Sequence, residues 1–230
     1  MKAMILAAGR GKRMRPLTDT LPKPLLEVGG KPLIVWHIEK LVDAGITQII
    51  INHAWQGHLI EQALGCGNTW GASLHYSAEP HRLETAGGIA KALPFFDQQP
   101  FLVINGDIWC DWDVQQAKQC ACALKQEAAL AWLLMVDNPC HNPAGDFSFP
   151  DLAAHPLTFA GIGVYRPELF SAIPKNTVYK LAPLLRQALT NNQVIATHYH
   201  GEWMDIGTPE RLDRLHNKLV TQDQSGYTQA

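Results

Sequence analysis

The sequence predicts a doubly wound, three-layer α/β/α domain on a mixed, mostly parallel sheet. Short apolar runs alternate with stretches of helical period, the pattern of strands joined by crossover helices. The first run, residues 3–7, is apolar throughout, as a strand buried on both faces must be. At 230 residues and 47% hydrophobic, the chain can bury one such core, over residues 1–220, but not two.

The first strand is stopped by Gly9. A helix follows over residues 31–44, with Pro32 near its first turn, apolar residues at helical spacing from Leu33 to Val42, and Gly45 after its end. The β-branched run 48–52 closes a strand–loop–helix–strand unit. Further strands fall at 73–77, 101–105, 128–136, 159–165 and 193–199, and helices at 56–64, 85–93, 114–125, 179–190 and 209–220. Residues 137–156, rich in Pro, Asn, His and Gly, break this rhythm. They read as a loop excursion over one end of the sheet, with one strand-like piece at 146–149, and as a suitable wall for an acceptor pocket. The polar residues 221–230 read as a frayed tail. Ligands of such sheets sit at the carboxyl ends of the strands.

Charge and cysteines narrow the function. With 19 Lys+Arg against 21 Asp+Glu, the net charge of −2 gives no general grip on nucleic acid or an anionic membrane. Any phosphate must therefore be held by a local site. The 5 cysteines lack the spacing of a zinc site and read as thiols in a reducing compartment. The N-terminal apolar run is too short for a signal peptide, and it meets Arg10, Lys12, Arg13 and Arg15 at once, the wrong order of charge. No apolar stretch approaches the roughly 20 residues of a membrane span. A cytoplasmic protein is expected.

One segment concentrates chemistry. Leu6-Ala7-Ala8-Gly9-Arg10-Gly11-Lys12-Arg13-Met14-Arg15-Pro16-Leu17-Thr18 runs from a buried strand into two glycines and a group of cations, followed by Pro22-Lys23-Pro24. Glycines let backbone N–H groups approach a ligand, and the cations suit a polyanion. The dinucleotide fingerprint fails because Met14 stands where its third glycine belongs, and a Walker loop fails because Arg13 follows Lys12. At the end of the strand 101–105, Asn105-Gly106-Asp107 places a carboxylate where a hard cation such as Mg²⁺ would find it. Trp203-Met204-Asp205-Ile206-Gly207-Thr208-Pro209 reads as a helix entry capped by Thr208, which leaves Asp205 unaccounted for.

These strings resemble the signature of sugar-1-phosphate nucleotidyltransferases, which have a Rossmann-like core. The resemblance spans the chain from Leu6 to Thr208. It implies that the loop, through Leu6, Ala8, Gly9, Gly11 and Lys12, wraps a nucleoside triphosphate. Arg13 and Lys23 would hold its phosphates, and Asp107 and Asp205 would hold Mg²⁺; these four are the catalytic candidates. Glu79-Pro80 and Leu83-Glu84-Thr85-Ala86-Gly87-Gly88 occupy the family's nucleobase region, which makes Glu79, Thr85 and Gly87 candidate base contacts. Glu84 stands where the family pattern has a glycine.

On the acceptor side, Asn105, Gly145 and Asp151 are implied as sugar-phosphate contacts. Many relatives carry Glu-Lys-Pro there, whereas residues 146–158 of this chain contain no lysine. Asp151 would stand in for the glutamate, and the phosphate would rely on metal ions and Lys23. The strings Ile51-Asn52-His53-Ala54-Trp55, Lys180-Leu181-Ala182-Pro183-Leu184-Leu185-Arg186 and Gly201-Glu202-Trp203 are most like those of family members that serve cell-wall recycling. They imply UTP as donor and N-acetylmuramic acid 1-phosphate as acceptor, with a basic residue among Lys180, Arg186 and Arg166 meeting the lactyl carboxylate. Mannose or glucose 1-phosphate with another nucleotide is the alternative within the family, and a nucleotide-sugar-binding regulator is the alternative outside it. His198-x-His200 alternates along a strand and reads as packed or solvent-facing histidines rather than a metal pair. His53, His58 and His75 have no ligand partner at a recognisable spacing.

Overall fold

A computed structural model describes the backbone of residues 1–226 and the side chains of residues 1–221. The strands are β1 (Ala3–Leu6), β2 (Glu27–Val28), β3 (Lys31–Pro32), β4 (Gln48–His53), β5 (Ser73–Ala78), β6 (Phe101–Asn105), β7 (Ile108–Cys110), β8 (Ala131–Val136), β9 (Thr158–Tyr165), β10 (Val194–His198) and β11 (Trp203–Asp205). The α-helices are α1 (Leu33–Asp43), α2 (Gly57–Leu64), α3 (Glu84–Ala92), α4 (Ala117–Gln126), α5 (Leu181–Thr190) and α6 (Pro209–Gly226). Seven strands form one sheet in the order β10-β8-β9-β6-β1-β4-β5. Only β9 runs against the rest, so the sheet is mixed and mostly parallel.

The apolar runs are buried on both faces because helices cover both. Along β1, Ala3 and Ile5 join the cluster with Ile34, Ile38 and Leu41 of α1, while Met4 between them joins Ala86 and Ile89 of α3 and Leu185 of α5. On β6, Leu102 and Ile104 face the first layer, and Phe101 and Val103 the second. The alternation follows from the two-residue period of a strand. Each such side chain contributes about 1.5–3 kcal/mol when fully buried. A third cluster joins Met14, Leu33, Trp109 and Ile206 to Leu212, Leu215 and Leu219 of α6, and it anchors the loops that leave the main sheet.

Several boundaries differ from expectation. Lys31 and Pro32 do not open α1; they pair with Glu27 and Val28 in a hairpin whose turn, Gly29-Gly30, has positive φ at both residues. The strand β8 starts at Ala131 rather than residue 128, because Ala128 turns the chain at φ 52°. The strand-like piece at 146–149 is a single bridge between Phe147 and Leu157. Helix α5 starts at Leu181, since the backbone of Tyr179 is bonded to Leu83 and Gly87 instead. The expected tail from residue 221 is helical to Gly226, and residues 227–230 lie outside the described residues. The antiparallel pair β7–β11 was not legible in the sequence, and it positions Asp205.

Helix α1 buries His37, whose ring bonds the backbone of Ile108, and burial together with Lys40 lowers its pKa from 6.5 to about 4. The unfolded chain therefore takes up a proton as pH falls through 6.5, whereas the folded chain resists until about 4. This contribution to stability is intact above that window and is lost on acidification through it. Urea unfolding at pH 5 should show a stability about 2 kcal/mol below that at pH 7, with His37→Gln lacking this part of the drop. Equal pH slopes in the two proteins would refute it.

Candidate active site

Because β1, β4 and β6 are parallel, their carboxyl ends share one edge, where their loops enclose a cleft of about 430 Å³. Leu6, Ala8, Gly9, Gly11, Lys12 and Arg13 of the first loop line it, together with Lys23, Thr85, Asn105 and Asp107. The loop is pinned at both ends. Ala7 N donates to the side-chain oxygen of Asn52 at 2.9 Å, and Met14 is fully buried. Between them Gly11 turns at φ 64°, and its carbonyl accepts from Thr18 Oγ1 at 2.8 Å. That left-handed turn favours glycine and exposes the N–H groups ahead of it. Beside the cleft the guanidinium of Arg10 lies 4.3 Å from the ring centre of Trp55.

The carboxylates stand among cations. Lys23, with 8% of its side chain exposed, donates from Nζ to Asp107 Oδ2 at 2.9 Å, while Asp107 is half exposed to the cleft. The β7–β11 ladder brings Asp205 alongside, with Ile206 N donating to Asp107 O at 2.8 Å. Arg211 Nη1 donates to Asp205 Oδ2 at 2.5 Å, and His141 Nε2 lies 2.9 Å from Oδ1. Gly207 is where these groups meet. A Cβ there would lie 2.9 Å from Asp205 Oδ2, 3.1 Å from Arg211 Nη1 and 3.2 Å from Arg13 Nη2.

His141 and Arg211 were missed by the sequence reading. Arg211 sits in the first turn of α6, where it passed for an ordinary helix residue. His141 lies in the excursion 137–156, and only its proximity to Asp205 across the fold singles it out.

Four expected contacts are placed elsewhere. Glu79 is buried behind the cleft wall, where Oε1 accepts from Asn52 Nδ2 at 2.7 Å and Oε2 from Leu83 N at 2.9 Å. Both oxygens are engaged in shaping the wall, and Glu79 does not line the cleft. Gly87 packs against the chain at 177–179, where a Cβ would meet Thr177 O at 2.2 Å, so its smallness serves packing. Gly145 turns at φ 67° within the excursion, with its Cα against Pro156 O rather than the cleft. Asp151 lines a separate groove between α4 and β10. Glu84, by contrast, lines the cleft and adopts φ 61°. That left-handed conformation favours glycine and costs another residue about 1 kcal/mol.

A glycine-rich basic loop facing two carboxylates at the carboxyl edge of a doubly wound sheet is a site built for polyphosphate. The chain belongs to the nucleotidyl transferase family, whose profile matches residues 2–144. It is 55% identical over 221 residues to the N-acetylmuramate alpha-1-phosphate uridylyltransferase of Neisseria meningitidis serogroup B, covering 92% of this chain and 95% of that one. It is 30% identical to the mannose-1-phosphate guanyltransferase of Hypocrea jecorina, across 91% of this chain and 62% of that longer protein. Among solved structures, a Bacillus anthracis protein assigned as a glucose-1-phosphate thymidylyltransferase superposes with TM-score 0.83 at 22% identity, covering 96% and 95% of the two chains. HddC from Yersinia pseudotuberculosis, complexed with GMP-PN, superposes with TM-score 0.76 at 21% identity, covering 94% and 98%. At these identities the structures share the fold.

Proposed function

We propose that the protein transfers UMP from UTP to N-acetylmuramic acid 1-phosphate, giving UDP-N-acetylmuramic acid and pyrophosphate in cell-wall recycling. One nucleotidyltransferase domain over residues 1–220 would carry the reaction. The observation that carries this reading is the 55% identity to a uridylyltransferase of that specificity, which extends over nearly the whole of both chains. Among the described residues no helix is long and apolar enough to cross a membrane.

The chemistry follows from charge. The acceptor phosphate oxygen is already deprotonated near neutral pH, so attack on the α-phosphorus needs no general base, and catalysis rests on positioning and charge stabilisation. The loop N–H groups and Lys12 hold the triphosphate, and Arg13 faces the charge that develops on the departing pyrophosphate. Lys23, nearly buried, keeps Asp107 aimed into the cleft while leaving its second oxygen accessible. The carboxylates of Asp107 and Asp205 offer the oxygen ligands a hard cation takes, so they would hold Mg²⁺, which neutralises phosphate charge when bound. Arg211 and His141 fix the carboxylate of Asp205.

The three candidates for the lactyl carboxylate lie in different surroundings, which favour Lys180. Arg166 follows β9, the one reversed strand, so it lies at the opposite edge of the sheet, paired with Glu168 at 2.7 Å. Arg186 stacks on Phe147, midway along α5. Lys180 precedes α5 at the carboxyl edge, is exposed, and has no carboxylate partner among the described residues. Its neighbour Tyr179 is bonded to the turn that carries Glu84 and Thr85. Lys180→Ala should raise KM for N-acetylmuramic acid 1-phosphate about tenfold or more, roughly 1.4 kcal/mol, with KM for UTP unchanged. Equal effects on both substrates would remove Lys180 from the acceptor site.

The test of the function is pyrophosphate release with UTP and Mg²⁺ against a panel of the muramic, glucose, mannose and N-acetylglucosamine 1-phosphates. Preference for the muramic acceptor by about 100-fold supports the proposal. Preference for another sugar overturns the specificity, and silence with every acceptor and nucleotide overturns the activity.

A further inference from the structure

At the carboxyl edge, away from the cleft, three metal-binding side chains converge. The parallel ladder pairs Met135 of β8 with His198 of β10. Two residues on, that register sets Asp137 opposite His200, and Tyr199 N still donates to Met135 O at 2.7 Å. Side chains two apart in a strand share a face, as do partners in a parallel pair. Asp137, His198 and His200 therefore all project to one side. His198 Nε2 lies 2.9 Å from Asp137 Oδ1, and the two imidazole rings are 4.1 Å apart. One ligand atom from each residue falls within 4.8 Å of the others. Spacing in the chain offered only the two histidines; the carboxylate comes from 61 residues away.

We propose that Asp137, His198 and His200 bind a divalent transition-metal ion of the zinc type. Two imidazoles and one carboxylate are the donor set that such an ion prefers and that Mg²⁺, an all-oxygen ion, does not. The site is open enough to load, since the Asp137 side chain is 74% exposed, and ordered enough to hold, since His198 is 14% exposed. It is distinct from the carboxylates of the cleft. Asp107 follows β6, two strand spacings or about 10 Å along the sheet from β8, and β1, which feeds the phosphate loop, lies one spacing further.

The position gives the ion a structural consequence. Asp137 is the first residue of the excursion, and Asn138 beside it is bonded to Pro156 O at 2.8 Å and to Thr158 Oγ1 at 2.8 Å, where the excursion returns. An ion on Asp137 ties the root of this segment to the edge strand β10. The same segment carries His141 to Asp205.

The test is a Zn²⁺ titration of the full chain in excess Mg²⁺, read by competition with a chromogenic chelator. The wild-type protein should hold one Zn²⁺ tightly. Asp137→Ala and His200→Ala should each weaken it by about 100-fold, while His58→Ala, on the exposed face of α2, leaves it unchanged. The site should also survive in Asp107→Ala/Asp205→Ala, which separates it from the cleft and from the proposed reaction. Absence of tight Zn²⁺ binding in the wild type would overturn the proposal and leave only a His198–Asp137 ion pair. So would affinity that ignores Asp137 and His200, or binding that disappears with the cleft carboxylates.

Discussion

Asp107→Ala should lower kcat by about a thousandfold, roughly 4 kcal/mol of transition-state stabilisation, and Asp205→Ala by a similar factor. Both reactants are anions, and these are the two carboxylates proposed to offer a hard cation its oxygen ligands. Because the interaction strengthens as charge redistributes, kcat and kcat/KM should fall together. Asp107→Ala also strips a nearly buried lysine of its partner, since Lys23 donates to Asp107 at 2.9 Å. Some stability is therefore lost for a reason unrelated to catalysis. Asp107→Asn separates the two effects, because it keeps the shape and an acceptor for Lys23 while removing the charge. Unfolding of Asp107→Asn close to wild type, with turnover as low as in Asp107→Ala, is the expected pattern. Near wild-type rates in Asp107→Ala and Asp205→Ala would refute the two-carboxylate mechanism.

Gly207→Ala should lower kcat by about 100-fold while leaving the fold intact. The added methyl group would lie 2.9 Å from Asp205 Oδ2, 3.1 Å from Arg211 Nη1 and 3.2 Å from Arg13 Nη2. None of these atoms is backbone, so the three side chains can yield by rotating and the domain does not have to rearrange. Each of them, however, is placed to handle charge at the cleft, and displacement of catalytic groups by a fraction of an ångström to an ångström costs up to about 100-fold in rate. The affected quantity should be kcat rather than the melting temperature. Gly87→Ala is the contrasting case: its methyl group meets the backbone oxygen of Thr177 at 2.2 Å, so it should lower thermal stability. Wild-type kcat in Gly207→Ala would mean that Arg13 and Asp205 are not positioned against one another as the structure has them.

The sequence made some parts of the site legible because their chemistry is local. The loop from Leu6 to Arg13 is continuous in the chain, and its glycines and cations declare a polyanion site before any fold is known. Asp107 is legible because it stands two residues past the carboxyl end of a recognisable strand. Glu79 and Gly87 were misplaced for a shared reason. They belong to the right segment, yet the direction of each side chain or Cα is set by Asn52 and by the chain at 177–179, which spacing does not encode. Asp151 was misplaced because an irregular excursion carries no period from which to infer its path.

By itself, then, the sequence determined the fold class, the seven strands of the main sheet with the helices between them, and the candidates of the site, namely the glycine-rich loop, Asp107 and Asp205. Each rests on periodicity or on neighbours a few residues apart. The tertiary structure alone decided that Arg211 and His141 hold Asp205, that Lys180 rather than Arg166 shares the cleft's edge, and that Asp137 meets His198 and His200. Those outcomes depend on strand register and on one reversed strand. Register is fixed by packing of the whole sheet between two helix layers, so no local stretch of the chain contains it.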